Sequence, residues 1–482
     1  MTVVNARECY INTNCYTNCN NITSIDLKNT PWVNNSMVNS FRGCKNLITI
    51  SNINENVSTM ENTFVGCWAL KNISILPNNV TNMYSTFQYC VNLVDSPIIP
   101  NSVTNMCATF SECTDLVNAP PAIPNSVTNV MSTFFNCHKM TTAPTIPNGV
   151  TNMYWTFCQC YKITNIPDIP NSVTNIACAF QGCKGLTSIP NIPDGITNMY
   201  YAFGGCYNLN EAKPFPNSVT DIRGAYSSTN ITNTPTIPNN ITDIEALFSN
   251  CRNLTTAPII PNGIINIPYT FSNCRNLTTA PIIPNSVTNM YQTFRDCRNL
   301  QGDICIESQN IIDVNMCFNG ANFYNKYVWI KPNTTTWNTF INEGYDTNGT
   351  RNSVFMREWD GTFSNLTVNV TPNTATVNIV DINDVPATGN CICTFKSNAS
   401  YGARVNGDII TMSSTPVTVN NLPQKFEVYF DTNLAVRVSI TNATYNYQSI
   451  NMIIDGIRYY QKFIITGDSD SSSITFNSTQ TA

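Results

Sequence analysis

Cysteine is the most abundant residue type in this chain that could form disulfides or bind metal, since 21 of the 482 residues are cysteines. Stacked repeats would place neighbouring thiols of one column ~4.8 Å apart with their side chains parallel, a poor orientation for disulfides. Small thiols also fill a buried column well. We therefore expect most of them to be reduced. The column has these members: Cys19, Cys44, Cys67, Cys90, Cys113, Cys137, Cys160, Cys183, Cys206, Cys251, Cys274 and Cys297.

Other residues with potential for metal binding or catalysis are few. His138 is the single histidine and no C-x-x-C pair occurs, so a zinc site is not expected. Glu358 and Asp360 in "REWDG" could form a carboxylate pair, but we expect them to be ordinary charged residues on the surface of the cap. No catalytic triad, H-E-x-x-H or P-loop signature is present. These patterns predict a protein that is not an enzyme and that needs no cofactor or metal.

Two sets of variable positions offer binding chemistry, because stacking turns each variable position of a repeat into a stripe. Aromatic side chains suit sugar rings or a protein partner, unless they half-bury against the next repeat. Cationic side chains suit an acidic glycan or protein, unless they merely end a helical segment. We expect a ligand to contact one of these stripes and favour the aromatic one. The candidates are Tyr154, Trp155, Tyr200 and Tyr201 in the aromatic stripe, and Arg252, Arg275 and Arg298 in the basic stripe.

A repeat must position these side chains. "CRNLTTAPIIPN" stands at residues 251–262 and again at 274–285, and a phenylalanine precedes the column cysteine by three residues in nearly every copy. Successive copies lie 23 residues apart, with single steps of 22 or 24. A unit this short cannot bury its apolar side chains alone and must stack on its neighbours. The sequence therefore predicts a repeat solenoid of about 13 coils over residues 1–320.

Each coil has three predicted parts. "LxxxPxIP" is extended and pairs in a parallel ladder, with strands of about three residues because proline removes a ladder donor. "PNS" or "PNG" turns the chain. "TNMxxTFxxC" is predicted as a short helical or 3₁₀ segment that Thr or Asn caps. The coil at Tyr226, where "SSTN" replaces the usual pattern, is expected to be irregular.

These residues carry a resemblance to a known family. "IPNSVTNMYSTFQYCVNLVDSPIIP" resembles the BspA-like leucine-rich repeat, P-x-S-V-x-x-I-x-x-x-A-F-x-x-C-x-x-L-x-x-I-x-I-P, in its Phe, Cys, Leu and Pro columns. The resemblance implies a curved right-handed solenoid of the leucine-rich-repeat type, used mostly for surface display and binding, with no catalytic residues. "YVWIKPNTTTWNTFINEGY" at 327–345 resembles the closing segment of such arrays, so residues 321–363 are predicted to form a cap.

Residues 364–482 have a different pattern. Runs such as "LTVNVTPNTATVNIV" and "AVRVSITNATYNY" alternate in strand fashion between Asn, Pro and Gly turns. Such a segment suits one immunoglobulin-like β-sandwich domain, followed by a polar tail.

Charge and targeting signals bound the functional class. The chain has 24 basic and 29 acidic residues, a net charge of −5, and no basic domain, so nucleic acid is not an expected partner. No apolar run reaches transmembrane length, so no membrane insertion is expected. The start "MTVVNARECY" shows neither the basic nor the apolar region of a signal peptide.

The resulting hypothesis is a non-enzymatic binding protein whose partner is a host or cell-surface protein or glycan. Since no leader is seen, we favour a virus or phage particle, where the protein would be a fibre-like receptor-binding component and the C-terminal domain would contact other virion proteins. The alternatives are a cellular surface adhesin of the same repeat family, at the extracellular surface, and a passive structural spacer. The oligomeric state is open.

Overall fold

Short parallel strands run through the coils of this protein, for which we describe a computed structural model. The chain forms two compact units, which are described separately: Met1–Leu300 with Asp313–Asn322, and Gln301–Ile312 with Phe323–Ala482. The predicted division into a solenoid, a cap and a C-terminal domain is not tested by these two units and stays a prediction. The structure describes residues 14–27, 32–73, 75–301, 303–321, 327–349 and 354–358 with their side chains, and the backbone of strand 3–5 and of ten strands between 364 and 477.

The first coils pair through a parallel sheet at the position predicted for the ladder. Its strands follow one another in chain order and are two or three residues long. In later coils the same position keeps only single bridges, such as Asp95 to Asn118 and Thr256 to Thr279. Proline in "PxIP" removes the donors that longer strands would need. The strands are β1 (Val3–Asn5), β2 (Ser24–Asp26), β3 (Thr49–Ser51) and β4 (Asn72–Ile73), and a 3₁₀ helix spans Val33–Asn35.

A second parallel ladder, which the sequence analysis missed, follows the asparagine of "VTN". Asn82 bridges Asn105, and the equivalent residues of most later coils pair in the same way. The Asn82 Oδ1 atom accepts hydrogen bonds from the Asn105 Nδ2 atom and from the Tyr84 N–H, each at 3.0 Å. The asparagine therefore joins neighbouring coils and also fixes the start of the segment that follows, as a local side-chain cap.

That segment, residues 83–90 and their equivalents, is a series of turns where a short helical or 3₁₀ segment was predicted. Met83, Ser85, Phe87 and Tyr89 donate their N–H groups to carbonyls of the next coil. Thr86, Gln88 and Cys90 donate to the carbonyl three residues back within their own coil. Ser85 and Tyr89 have φ of 49° and 59°. Left-handed residues interrupt helical geometry, and inter-coil bonds use the donors that a helix would need. The helical prediction for this segment was wrong.

The core is a stack of phenylalanines beside the cysteine column. The ring centres of Phe87 and Phe110 lie 5.4 Å apart, and the planes of the two rings are inclined by 12°. Equivalent pairs stack along most of the solenoid. Phe87, Phe110 and Phe134 are fully buried, as are the column thiols from Cys44 to Cys297. The predicted burial of both columns is confirmed except at Cys19, which is only partly buried.

Buried donors in the core satisfy carbonyl groups of the preceding coil. Thr109 Oγ1 lies 2.8 Å from both Met83 O and Met106 O, and Cys113 Sγ lies 3.1 Å from Phe87 O. The Thr and Cys of other coils repeat these contacts. Each buried carbonyl that gains a donor avoids a desolvation penalty. This explains why the "T-F-x-x-C" pattern combines two small donors with one large apolar ring.

The coil at Tyr226 lacks the column cysteine, and other side chains make the hydrogen bonds there. Tyr226 is fully buried, and its hydroxyl accepts from Lys213 N at 3.1 Å and donates to Lys213 O at 3.0 Å. Thr229 stands at the cysteine position and donates to Tyr226 O at 2.7 Å, while Cys251 Sγ reaches the same oxygen at 3.1 Å. A hydroxyl thus replaces the thiol in this coil, whose turns keep the inter-coil bonds of other coils, and the expected local irregularity stays a prediction.

The second unit begins with a three-stranded parallel sheet. It contains β5 (Ile304–Ile306), β6 (Tyr327–Ile330) and β7 (Phe355–Glu358) in that order. Helix α1 (Thr335–Asn342) follows β6, and Thr334 caps it by accepting from Trp337 N. The prediction of an extended stretch followed by a helix in 327–345 is confirmed.

The remaining strands form two five-stranded sheets with orders β11-β10-β13-β16-β15 and β12-β17-β9-β8-β14. The predicted strand content of 364–482 is thus present. The immunoglobulin-like sandwich stays a prediction, since the side chains of its core lie outside the described residues. The strands are β8 (Ser364–Thr371), β9 (Thr374–Val380), β10 (Ile392–Ser397), β11 (Ile409–Thr411), β12 (Val417–Leu422), β13 (Lys425–Phe430), β14 (Val436–Thr441), β15 (Ala443–Ile454), β16 (Ile457–Gly467) and β17 (Ser472–Asn477).

Candidate functional site

The aromatic candidates lie at two fixed positions after the ladder asparagine. Tyr154 and Tyr200 each donate their backbone N–H to the asparagine two residues before them, at 2.9 Å. Trp155 and Tyr201, which follow, have left-handed backbones with φ of 57° and 47°. Most coils share these backbone contacts through their own ladder and turns, so the backbone, and not the side chain, sets the spacing of the stripe.

Five rings form what we call the aromatic patch: Phe135, Tyr154, Trp155, Tyr200 and Tyr201. Trp155 stacks on Tyr154 at 4.8 Å and on Phe135 at 5.3 Å. Tyr200 meets Tyr201 edge-on at 4.8 Å. Trp155 and Tyr200 remain 37% exposed. Phe135 was missed because it follows the core residue Phe134 and reads as part of the core.

The two aromatic pairs lie in alternate coils, with one coil between them. The coil between them has the small residues Ala177 and Cys178 at the equivalent positions. A hydrogen bond from Trp155 reaches the Cys178 thiol, whose pKa is raised by burial and lowered in part by that bond. Burial, the neighbouring thiols and the Tyr200 phenol raise the pKa of Tyr154. Small side chains therefore let the two pairs face one another across one coil.

Arg223 borders the patch and was not anticipated. Its guanidinium lies 5.1 Å from the Tyr200 ring centre and donates to both oxygens of Asp221, at 3.0 and 2.7 Å. Hydrogen bonding to Asp221 raises the pKa of Arg223. Tyr201 lies over Gly224, where a Cβ atom would come within 2.5 Å of the ring. Only glycine at 224 leaves room for this ring position.

A concavity of about 420 Å³ lies further along the same stripe, and we call it the acidic concavity. Tyr269 and Tyr291 meet edge-on there at 5.1 Å, and burial together with a hydrogen bond to Tyr291 raises the pKa of Tyr269. Three of its side chains are carboxylates and none is cationic. One signal of this concavity is visible in the sequence, because Asp243 and Asp313 stand at ladder positions where most repeats have asparagine. Its lining is Asp243, Glu245, Asn266, Pro268, Tyr269, Asn289, Tyr291 and Asp313.

The basic stripe is present, and two of its three arginines bond to a neighbouring side chain. Arg298 pairs with Asp296 at 3.3 Å, and Arg275 Nε donates to Asn273 Oδ1 at 2.8 Å. Arg252 is exposed. No contact joins these arginines to the aromatic patch among the described residues. The two predicted stripes are thus separate surfaces, and the structure does not bring their residues into one site.

Metal and membrane chemistry find no support in the described part of the chain. It contains no group of three or more His, Cys, Asp or Glu side chains that could hold a metal ion. His138 instead stacks on Tyr161 at 4.4 Å. No helix among the described residues is long and apolar enough to cross a membrane.

The repeat geometry agrees with comparison to known families. A family model described as "BspA type Leucine rich repeat region (6 copies)" matches residues 5–117, 107–228 and 223–343. These segments together cover well over half of the chain. The protein belongs to the BspA-type leucine-rich repeat family. No sequence among curated proteins matches it significantly.

Three solved structures are similar to this BspA-type protein. A leucine-rich repeat protein from Bacteroides ovatus is 19% identical with a TM-score of 0.43, over 61% of this chain and 69% of that one. A leucine-rich cell surface protein from Faecalibacterium prausnitzii is 22% identical with a TM-score of 0.33, over 59% and 83%. A T. pallidum leucine-rich repeat protein is 23% identical with a TM-score of 0.27, over 39% and 79%.

Proposed function

We propose that this protein is a non-enzymatic adhesin displayed at a cell surface, and that it binds a protein partner through the aromatic patch. Membership of the BspA-type family supports the surface adhesin, which was the alternative in the sequence analysis. The virus or phage role that we favoured there gains no support from the family match.

The observation that carries the proposal is the half-exposed cluster around Trp155. Aromatic side chains that are rigidly held and partly exposed are enriched among the residues that dominate binding energy in protein interfaces. Phe135 and Tyr154 stack on the indole, and the Cys178 thiol takes a hydrogen bond from it. The cluster is therefore held in place before any ligand arrives, which lowers the entropy lost on binding.

The same contacts favour a protein over a glycan. A sugar ring binds to the open face of an aromatic ring, but Trp155 is stacked on two neighbours and Tyr200 has Arg223 over its ring. The patch offers ring edges and phenol groups, which suit the mixed surface of a protein. Glycan binding remains the second candidate, because Tyr201 retains an edge and a hydroxyl.

Binding of the purified protein to intact cells tests the proposal. Trp155→Ala is expected to reduce binding at least tenfold, with little dependence on salt. Trp68→Ala is the matched control, because Trp68 is 48% exposed on the same solenoid and lies beneath Lys45 instead. Protease treatment of the cells should remove binding, while glycosidase treatment should not.

Opposite results have distinct meanings. Binding that survives protease but not glycosidase would replace the protein partner with a glycan. Binding that survives Trp155→Ala together with Tyr200→Ala would move the site away from the patch, to the strands of 364–482, and leave the solenoid as a spacer. Surface labelling of intact producing cells tests the location, and a protein found only inside the cells would contradict display.

A further inference from the structure

One arginine of the solenoid shows how this surface holds a guanidinium. Arg223 follows the ladder residue Asp221 by two positions, donates its backbone N–H to Asp221 Oδ1 at 3.1 Å, and returns its side chain to both carboxylate oxygens. The ring of Tyr200, from the preceding coil, lies 5.1 Å away. A bidentate carboxylate and an aromatic face are a favourable combination for a guanidinium.

The same positions recur in the acidic concavity without the arginine. Asp313 is a ladder residue, Asn315 follows it by two and donates its N–H to Asp313 Oδ1 at 3.0 Å. Tyr291 stands in the preceding coil at the position of Tyr200, since each follows its ladder asparagine by two residues. Asn315 has a short neutral side chain where Arg223 has a guanidinium. Asp313 and Tyr291 therefore repeat an arginine-binding arrangement that this chain does not fill from within.

The neighbouring coils add more negative charge to the same place. Asp243 accepts from Glu245 N at 2.9 Å and from Asn266 Nδ2 at 3.4 Å, and its carboxylate lines the concavity with those of Glu245 and Asp313. Pro268 has no N–H, so the Asn266 Oδ1 atom lacks the capping bond of other coils, while its Nδ2 atom makes the usual bond to the preceding coil, here to Asp243. Of the two arginines that interact with this site through charge, Arg295 is bonded to Gln292 at 2.7 Å and pairs with Asp296, and Arg223 is held by Asp221. Half-buried carboxylates without a lining cation favour a cation from outside.

We propose that the acidic concavity binds the guanidinium of an arginine side chain from a partner polypeptide, with Asp313 as the bidentate acceptor and Tyr291 as the aromatic face. The inference rests on the proposed function only in taking the partner to be a protein. The acidic concavity would be a second contact on the same stripe, and the partner would present an arginine there. Contacts at both places would raise affinity together, as linked sites do.

A blocked tripeptide, acetyl-Gly-Arg-Gly-amide, is the probe for the full chain, followed by NMR or isothermal titration. It is expected to bind weakly, in the millimolar range, and the citrulline analogue, which keeps the shape but has no charge, is expected to bind at least tenfold more weakly. Asn315→Arg should fill the place from within and reduce binding at least tenfold without lowering Tm. Asn315→Gln, which lengthens the side chain without charge, is the matched control and should retain binding.

A gain of binding is also expected. Arg223→Asn should open Asp221 and Tyr200 and raise the stoichiometry from about one peptide per chain to about two. Equal binding of the citrulline peptide, or loss of binding in Asn315→Gln as well, would overturn the inference, and equal binding of glucosamine would reassign the site to amino sugars. Trp155→Ala should leave peptide binding unchanged, so failure at the aromatic patch and failure here are distinguishable.

Discussion

The thiol of Cys113 donates a hydrogen bond to the carbonyl oxygen of Phe87 in the preceding coil, at 3.1 Å. The same oxygen also accepts the backbone N–H of Cys90 at 2.9 Å. A column of cysteines therefore acts as a column of small donors, each serving a buried carbonyl that would otherwise keep one unused lone pair. Disulfide pairing would remove the S–H donor from both partners, which is a structural reason for keeping these thiols reduced.

Alkaline pH is expected to destabilise the solenoid. Burial raises the pKa of Cys251 from 9.0 to about 11 and that of Cys90 well above 9.0. The unfolded thiols ionise above pH 9 while the folded ones stay neutral, so the stabilisation is complete below pH 9 and is lost as pH rises toward 11. For each buried thiol, the free energy of unfolding falls by about 1.4 kcal/mol per pH unit in that window. Urea unfolding followed by circular dichroism at pH 7.5, 9 and 10 measures this.

Cys251→Ser is the control for that prediction, because it removes one titrating group from the column. Its unfolding free energy should fall less steeply with pH than that of the parent chain. Stability that is the same at pH 7.5 and pH 10 would show that the thiols are not protected by burial.

Thiol labelling is expected to divide the cysteines by exposure. In the folded protein iodoacetamide should modify the exposed Cys15 within minutes and leave Cys90 and Cys113 unmodified, because the thiolate is the reactive form and burial disfavours it. After unfolding without reductant, all should react, as mass spectrometry can show. A peptide that joins Cys251 to Cys274 would instead establish an oxidised ladder.

The buried threonine column should be sensitive to loss of its hydroxyl. Thr109→Val keeps the shape of the side chain but removes the donor that lies 2.8 Å from Met83 O and Met106 O. We expect a loss of about 0.5–1.5 kcal/mol in unfolding free energy, since a buried carbonyl loses one of its two donors and keeps the backbone one. Thr109→Ser retains the hydroxyl and should be closer to the parent chain. Equal losses in the two variants would assign the effect to packing.

Gly224 is expected to be required for the ring position of Tyr201. A Cβ atom at residue 224 would lie 2.5 Å from the Tyr201 ring, so Gly224→Ala must displace the ring and should lower both Tm and cell binding. Ala246 adopts φ of 54° at the equivalent position of the next coil, which shows that the backbone itself accepts a Cβ. Gly205→Ala, where the nearest atoms are 3.4 Å away, is the control for left-handed strain alone and should leave cell binding intact.

The basic stripe gives a competing prediction about attachment. If Arg252, Arg275 and Arg298 bound an acidic ligand, attachment would fade between 50 and 500 mM salt, because exposed charges are screened over ~8 Å at physiological ionic strength. Since Asp296 and Asn273 already engage Arg298 and Arg275, we expect the triple change to Gln to alter attachment less than twofold. A large, salt-dependent loss in that variant would make the basic stripe the binding surface.

The sequence alone determined the repeat, its 23-residue spacing and the burial of the Phe and Cys columns. These follow from composition, because a unit with one large ring and a proline-broken strand has to stack to bury anything. Asn82 was also visible as a cap. Its second function, the ladder to Asn105, was not visible, since one asparagine can serve either purpose and only the approach of the next coil decides.

Tertiary structure decided the backbone of the turns and the content of the surface. No residue preference marks Ser85 or Trp155 as left-handed; the bonds to the next coil impose that geometry. The acidic concavity assembles Asp243 and Asp313, which are 70 residues apart in the chain, because stacked coils convert distance along the sequence into neighbouring positions on one face. A stripe could be read from the repeat, but its charge, its gaps at Ala177 and Cys178, and the pairing of Tyr200 with Arg223 depend on side-chain packing between coils, which sequence spacing does not encode.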